Sequence, residues 1–358
     1  MTSYNTDNAI KFKDLVITTM TQVNMIQGSI DIMSAFHLLP ITKMILKNNR
    51  DSLKCKLPLC ETRGAILSMR HKKMVRGIIR NTNEFFFKNS ITLDISTAVK
   101  NISLKISPNT IQLCGACSRQ NGIEAATYII DYLIDIKKQV DYIENHLDSY
   151  NECLAWLNEA KGVPHIKIVY EEFPTKNLIY RIRHEVPDYL INFHHIPLHL
   201  DHQIMTFLIS LSTDMTYHSD FMNKIKNILK FKPVYEGDLA IYKTNEVMVN
   251  YNYNLGFRVN RDRLNELIDG KNGLYSHYDN ALVNSVTVEL PYDTLLDYTS
   301  KKLKRGISHH TFLIYGSGAV TQSGPCSSSQ PGRCSTIMEE AFNTFMSTIM
   351  EIKDEIML

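Results

Sequence analysis

The sequence predicts an α+β fold made of two tandem copies of one unit, separated by a mainly helical insert. Two observations carry this. The stretch NSITLDI at 89–95 is written again as NSVTVEL at 284–290: Asn and Ser are kept, then apolar, Thr, apolar, acid, apolar. NISLKISPNTIQLCGACS (Asn101–Ser118) and HTFLIYGSGAVTQSGPCS (His310–Ser327) follow with the same alternation, a turn and a late glycine. Registered on Gly115 and Gly324, Ile106 matches Tyr315, Ile111 matches Val320, Cys114 matches Ser323, Cys117 matches Cys326 and Ser118 matches Ser327. A fixed-order match across two strands points to duplication, which has to be read before any local pattern. The expected organisation is an N-terminal tail (1–13), a first repeat (14–147), an insert (148–236) and a second repeat (237–358).

In the first repeat, Asp14–Met25 is β-branched and alternates, which reads as a strand. Gly28-Ser29 turns the chain into IDIMSAFHLL, where Ile30, Met33 and Leu38 fit one helix face. Pro40 and the basic, Asn-rich run to about Arg63 read as a loop or short helix. Gly64–Arg70 and Met74–Arg80 read as a hairpin with His71-Lys72-Lys73 at its tip. FFFKNSITLDI and NISLKI are the next strands, Asn109 sits at a turn, and TIQLCG closes the sheet. Ser118 caps a long helix with Ile123, Ala126, Ile130 and Leu133 on one face.

The insert carries the only Trp, Trp156, a strand at HIKIVYEEF, and helices separated by Pro187 and Pro197. The second repeat opens on a Tyr- and Asn-rich strand, Gly237–Phe257. Asn260 caps its helix, NSVTVEL follows, and after an exposed linker a hairpin turns at Gly316-Ser317-Gly318. The loop Ser327–Ser335 leads to a closing helix with Met338, Ala341, Phe342 and Phe345 on its face.

The chain has 358 residues, 44% hydrophobic and 21% charged, with a net charge of +2, which gives room for about two domains. No window approaches the roughly 20 apolar residues of a membrane span. The N-terminus lacks the basic-then-apolar order of a signal peptide. An intracellular protein with no membrane partner is therefore expected. Seven scattered cysteines make reduced thiols the default. From Lys43 to Lys88 cations dominate, Arg63, Arg70, Lys72, Lys73, Arg76 and Arg80 among them, and only Asp51, Glu61 and Glu84 oppose them. Such a bias favours a polyanion, nucleic acid first, although a solvated loop and an exposed strand face have the same composition.

Catalytic signals are absent. Cys114-Gly-Ala-Cys117 is a CxxC to which Cys326 and Cys334 could add another half, but Cys114 matches Ser323 and no second CxxC exists. His194, His195, His199 and His202 cluster, yet Pro197 interrupts their spacing and there is no HExxH. Gly316-Ser317-Gly318 lacks the helix and the Lys-Ser/Thr of a phosphate loop. The expectation is a binding protein without catalytic residues, metal or cofactor.

Two copies of strand–helix–strands–helix, each with a hairpin ending apolar-x-Gly before a long helix, resemble the TATA-box-binding protein family. TFLIYGSGAVTQSGPCS is similar to that family's LIFVSGKVVLTGAKV, and ISLKISPNTIQLCGACS more distantly to LIFSSGKMVCTGAKS. Tyr275–Pro291 is similar to SSYEPELFPGLIYRMIKP, with Tyr278-Asp279 in the turn before the strand. RGIIR, FFFKNSITLDI and the strand–turn–QLCGACS block are most similar to the divergent TATA-binding-like proteins of large nucleocytoplasmic DNA viruses. The resemblance covers about 14–140 and 237–355.

It implies a curved antiparallel sheet with pseudo-twofold symmetry, helices on the convex face and a concave face lying on the minor groove of duplex DNA. There Thr and Asn hydrogen-bond to base edges, and Phe pairs wedge between base steps. Carried over by position, the strand-end Thr become Cys114 and Ser323, and the hairpin wedge becomes Ile106 and Tyr315. The other wedge falls near Lys88 and Val283, with Phe87 adjacent. The groove-facing Asn become Asn24 and Asn250 (or Asn252), with Thr92, Thr287, Gln112 and Thr321 as further concave positions and Arg76 contributed by the basic run. No wedge position keeps Phe, and Lys88 cannot serve as an apolar wedge, which speaks against a strong kink. The implied function is a viral transcription factor that binds AT-rich promoter DNA and recruits viral RNA polymerase or initiation factors through its helices. Its expected location is a viral factory in the host cytoplasm, the host nucleus or the virion. The alternative is a scaffold of the same fold that has lost DNA and holds its insert or a partner on the concave face.

Overall fold

Alternating burial sets the strands of this protein. In the computed structural model, β1 (Ile17–Ile30) buries Met20, Gln22, Asn24 and Ile26 and leaves Thr19, Thr21, Val23 and Met25 on its other face. The structure describes residues 10–41, 63–77, 88–159, 167–171, 181–185, 197–211, 218–279, 283–291, 309–325 and 333–358. Helix α1 (Ile32–Leu38) follows β1, capped by the Asp31 side chain, which accepts from the Ser34 amide at 2.7 Å. Then come β2 (Ile66–His71), β3 (Met74–Gly77), β4 (Ile91–Ser96), β5 (Asn101–Ser107), β6 (Thr110–Ala116) and the 27-residue helix α2 (Arg119–Asn145). The middle of the chain holds α3 (Leu147–Glu159), the antiparallel pair β7 (Lys167–Glu171) and β8 (Arg181–Glu185), α4 (His202–Ser210) and α5 (His218–Lys226). The chain closes with β9 (Tyr235–Asn254), α6 (Arg261–Ile268), β10 (Tyr275–His277), β11 (Ser285–Pro291), β12 (His309–Tyr315), β13 (Ala319–Pro325), α7 (Arg333–Glu351) and α8 (Lys353–Ile356).

The described chain divides into two compact units. The larger takes Asn24–Leu113 and Gln120–Lys243; the smaller takes Met1–Val23, Cys114–Arg119 and Thr244–Leu358. In the larger unit the strand order is β1-β6-β5-β4-β2-β3, and in the smaller it is β9-β13-β12-β11-β10. All registered pairs are antiparallel. The two series are one topology written twice: strand, short helix, four strands, long helix, with the last strand back beside the first. Between the short and the long helix, the larger unit adds the strand β3.

The match extends to single bonds. Ile26 and Ile30 donate their amides to the carbonyls of Asn109 and Pro108 at 2.9 and 2.8 Å. Leu255 and Val259 do the same to Gly318 and Gly316 at 2.8 and 3.1 Å. Asn260 caps α6 as Asp31 caps α1, accepting from the Arg263 amide at 3.2 Å. The α+β class and the duplication expected from the sequence are both present.

These bonds correct the alignment. The β5–β6 turn is two residues, Pro108-Asn109, while the β12–β13 turn is three, Gly316-Ser317-Gly318. The extra residue shifts the preceding strand by one, and a one-residue shift moves a side chain to the other face. Ile106 therefore corresponds to Ile314, both fully buried, and the counterpart of Tyr315 is Ser107. In β1 the matched bonds pair Asn24 with Tyr253 and Thr21 with Asn250.

One face of each repeat's strands is covered by its long helix. In the larger unit, Ala126, Ile129, Leu133 and Ile136 of α2 are buried, Asn121 donates to the Thr97 hydroxyl at 2.8 Å, and Tyr132 donates to the Gly64 carbonyl at 3.0 Å. In the smaller unit, Phe345 of α7 stacks on Phe312 of β12 at 4.2 Å. Phe12, in a short turn of 3-10 helix before β1, fills the same core between Tyr251 and Phe342, with ring centroids at 5.0 and 5.6 Å.

The described insert helices pack on the C-terminal half of α2. Tyr142 donates to Asp201 at 2.9 Å, Gln203 donates to Gln139 at 3.2 Å, and the Lys232 ammonium reaches Asp141 and Glu144 at 2.8 and 2.6 Å. Burial pushes the Asp201 carboxyl up, but the amides of Ile204 and Gln203 and the Tyr142 hydroxyl outweigh it and hold its pKa below the ordinary value. The strand β8 was not expected from the sequence. The helix expected from Val186 is described only from His202, while His194 and His195 lie outside the described residues. No helix among the described residues is long and apolar enough to cross a membrane.

Candidate functional site

The face that the helices leave open carries a cross-strand array of small polar side chains. In the smaller unit, register places His277, Thr287, Leu313, Thr321 and Asn252 in one row across five strands. The next row is Tyr275, Glu289, Thr311, Ser323 and Asn250. The chemistry follows from the YNYN pattern at the end of β9. Tyr251 and Tyr253 turn into the core, where burial raises both phenol pKa values, and the alternate Asn250, Asn252 and Asn254 face outward. Asn250 donates to the Thr19 hydroxyl at 2.8 Å, and Asn254 accepts from the Gly256 amide at 2.8 Å. The side chains of Asn252, Thr321, Thr287 and Ser323 have no hydrogen-bond partner among the described residues. His309 Nε2 lies 3.2 Å from the Glu289 carboxylate on this face.

In the larger unit the equivalent row is Arg70, Thr92 and Lys105, paired across β2, β4 and β5, with Gln112 half-buried on β6. Ser68 donates to Asp94 at 3.1 Å in the adjacent row.

Most of the residues expected at the site reach the open face. Thr92 and Gln112 do so in the larger unit; Cys114, Asn250, Thr287, Tyr315, Thr321 and Ser323 do so in the smaller. Cys114 is an exposed free thiol 3.9 Å from the Thr21 hydroxyl, the bond matching Asn250's position against Ser323. Lys88 and Val283 are exposed at equivalent places, each four residues ahead of the matched Thr92 and Thr287.

Three residues do not. Asn24 is fully buried on the helix face, because β1 registers it with the inward-facing Tyr253, three residues from Asn250 and one from Asn252. Ile106 is fully buried as the counterpart of Ile314, since the β5–β6 turn is one residue shorter than the β12–β13 turn. Arg76 pairs across from buried Met69, so it points to the helix side, where its guanidinium donates to the Phe36 carbonyl and lies 5.9 Å over the Phe36 ring. Sequence reasoning missed Arg70, Lys105 and Leu313 as face residues. Strand alternation counted from Thr92 and Thr287 would have found them. The expected wedge neighbour Phe87 lies outside the described residues, as does Cys326.

A cleft of about 500 Å³ in the larger unit lies beside Lys72, Lys88, Asp31, Met33, Tyr235 and Glu236. Its two ammonium groups are faced by two carboxylates, so its charge selects no ligand. Among the described residues no group of three or more His, Cys, Asp or Glu side chains could hold a metal ion.

Comparison with solved structures adds a similarity of backbone. The chain aligns with the TBP of Methanococcus jannaschii at a TM-score of 0.35 and 10% identity, over 95% of this chain and 99% of that chain. No protein family and no curated protein matches it.

Proposed function

We propose that this protein is a TATA-box-binding-protein-like transcription factor that binds duplex DNA through the open face of its duplicated sheet. The observation that carries the reading is the row Asn252, Thr321, Leu313, Thr287 and His277. It presents amide and hydroxyl donors that have no partner among the described residues. An A·T-rich minor groove offers only acceptors along its floor, and such donors suit them. The motif likeness to viral TATA-binding-like proteins supports a role in viral promoter recognition, with polymerase or initiation factors recruited through the helices. Nothing specific favours a scaffold whose open face is filled by the insert, since the described insert helices pack on α2 instead. Mobility-shift titration on AT-rich and GC-rich duplexes across a salt series tests the reading. Binding with a preference for the AT-rich duplex is expected; no shift of any duplex at low salt would sink it.

A further inference from the structure

The two copies match in backbone but not in charge, and the mismatch reaches the open face. Four pairs of equivalent positions differ. Arg70 in the larger unit stands where the smaller has His277, both paired to the matched threonines. Lys105 stands where the smaller has Leu313. Lys88 stands where it has Val283, and Ser107 where it has Tyr315. The matched carboxylates do not level this. Asp94 and Glu289 are equivalent, and Glu289 is held by His309 at 3.2 Å.

Fixed cations and apolar or aromatic groups engage different parts of a nucleic acid. Lysine and arginine neutralise phosphates and release counterions, which makes binding salt-dependent. Tyrosine, leucine and amide groups contact bases and base edges, with little salt dependence. From this, and resting on the proposed DNA binding, we infer that the two repeats divide the work. The larger unit takes backbone phosphates through Arg70 and Lys105, and the smaller takes bases through Tyr315, Leu313 and Asn252.

The test is the slope of log affinity against log salt for the full chain on a short AT-rich duplex. Each lost phosphate contact lowers the slope by about 0.9. The variant Arg70→Gln/Lys105→Gln is therefore expected to flatten it by about 2, while Arg70→Lys/Lys105→Arg keeps the wild-type slope. The variant Asn252→Ala/Leu313→Ala/Tyr315→Ala is expected to weaken binding with the slope unchanged. Urea unfolding of each variant confirms that it is folded, and single substitutions replace any that is not. Equal slope changes in the two sets, or an unchanged slope in the basic set, overturn the division of labour while leaving DNA binding intact. A wild-type chain that binds no duplex overturns both.

Discussion

His310 gives the sharpest test of how the smaller unit is packed. It sits on the buried side of β12, only 3% exposed. Burial, helped by the neighbouring His309, lowers its pKa from the ordinary 6.5 to about 4. The folded chain therefore holds a neutral imidazole, while the unfolded chain takes up a proton below pH 6.5. The stabilisation is complete above that pH and is lost as the pH falls toward 4. At about 1.4 kcal/mol per pKa unit, the full effect is about 3 kcal/mol, of which about 2 kcal/mol is gone at pH 5. Urea unfolding of the wild type and of His310→Gln at neutral pH and at pH 5 measures it, because the other titrating groups are common to both chains and cancel. The wild type should lose about 2 kcal/mol more than the variant between the two conditions. Equal losses would refute a buried neutral imidazole under α7.

Three further outcomes follow from the packing. The matched glycines serve different needs: a Cβ on Gly324 would lie 2.1 Å from His310 Nδ1 and 2.4 Å from Met338 Sδ, whereas one on Gly115 meets nothing within 4 Å but sits at φ +101°. Gly324→Ala should cost about 1–3 kcal/mol and be partly relieved by Met338→Ala; Gly115→Ala should cost about 1–2 kcal/mol with no such relief, and urea unfolding of the single and double variants separates the two. Phe12→Ala, which empties the space between Tyr251 and Phe342, should cost about 3 kcal/mol; a wild-type unfolding midpoint would contradict the docking of this segment. Asp201→Ala removes the cap on α4, where the carboxylate accepts from the Gln203 and Ile204 amides at 2.9 and 3.1 Å, and the Tyr142 bond with it. It should cost about 1–2 kcal/mol and raise protease sensitivity in the insert while leaving DNA affinity unchanged.

The duplication was legible because strand alternation survives substitution: NSITLDI and NSVTVEL bury the same positions in β4 and β11. The caps were partly legible too, since Asn260 precedes its helix as a cap should. Register was not. Aligning on Gly115 and Gly324 is right for β6 and β13 and wrong for β5 and β12, because the turn lengths differ by one residue. That is why Tyr315 lies on the open face and Ile106 does not. Arg76 shows another limit: a basic run says nothing about which face of a strand each cation takes, and here Arg70 faces out while Arg76 bonds to α1. The docking of the insert on α2 depends on side-chain pairs such as Tyr142 and Asp201, 59 residues apart, which no local pattern reveals.

The central claim is that DNA lies on the open face of the sheet. Fluorescence anisotropy of a labelled AT-rich duplex tests it with two variants of equal added charge. Asn252→Asp/Thr321→Asp places carboxylates in the open row, and Asn343→Asp/Ser347→Asp places them on the exposed side of α7. The first should weaken binding by tenfold or more, a loss of at least about 1.4 kcal/mol, and the second by less than about twofold. Equal weakening by the two variants, or none by the first, would contradict the account.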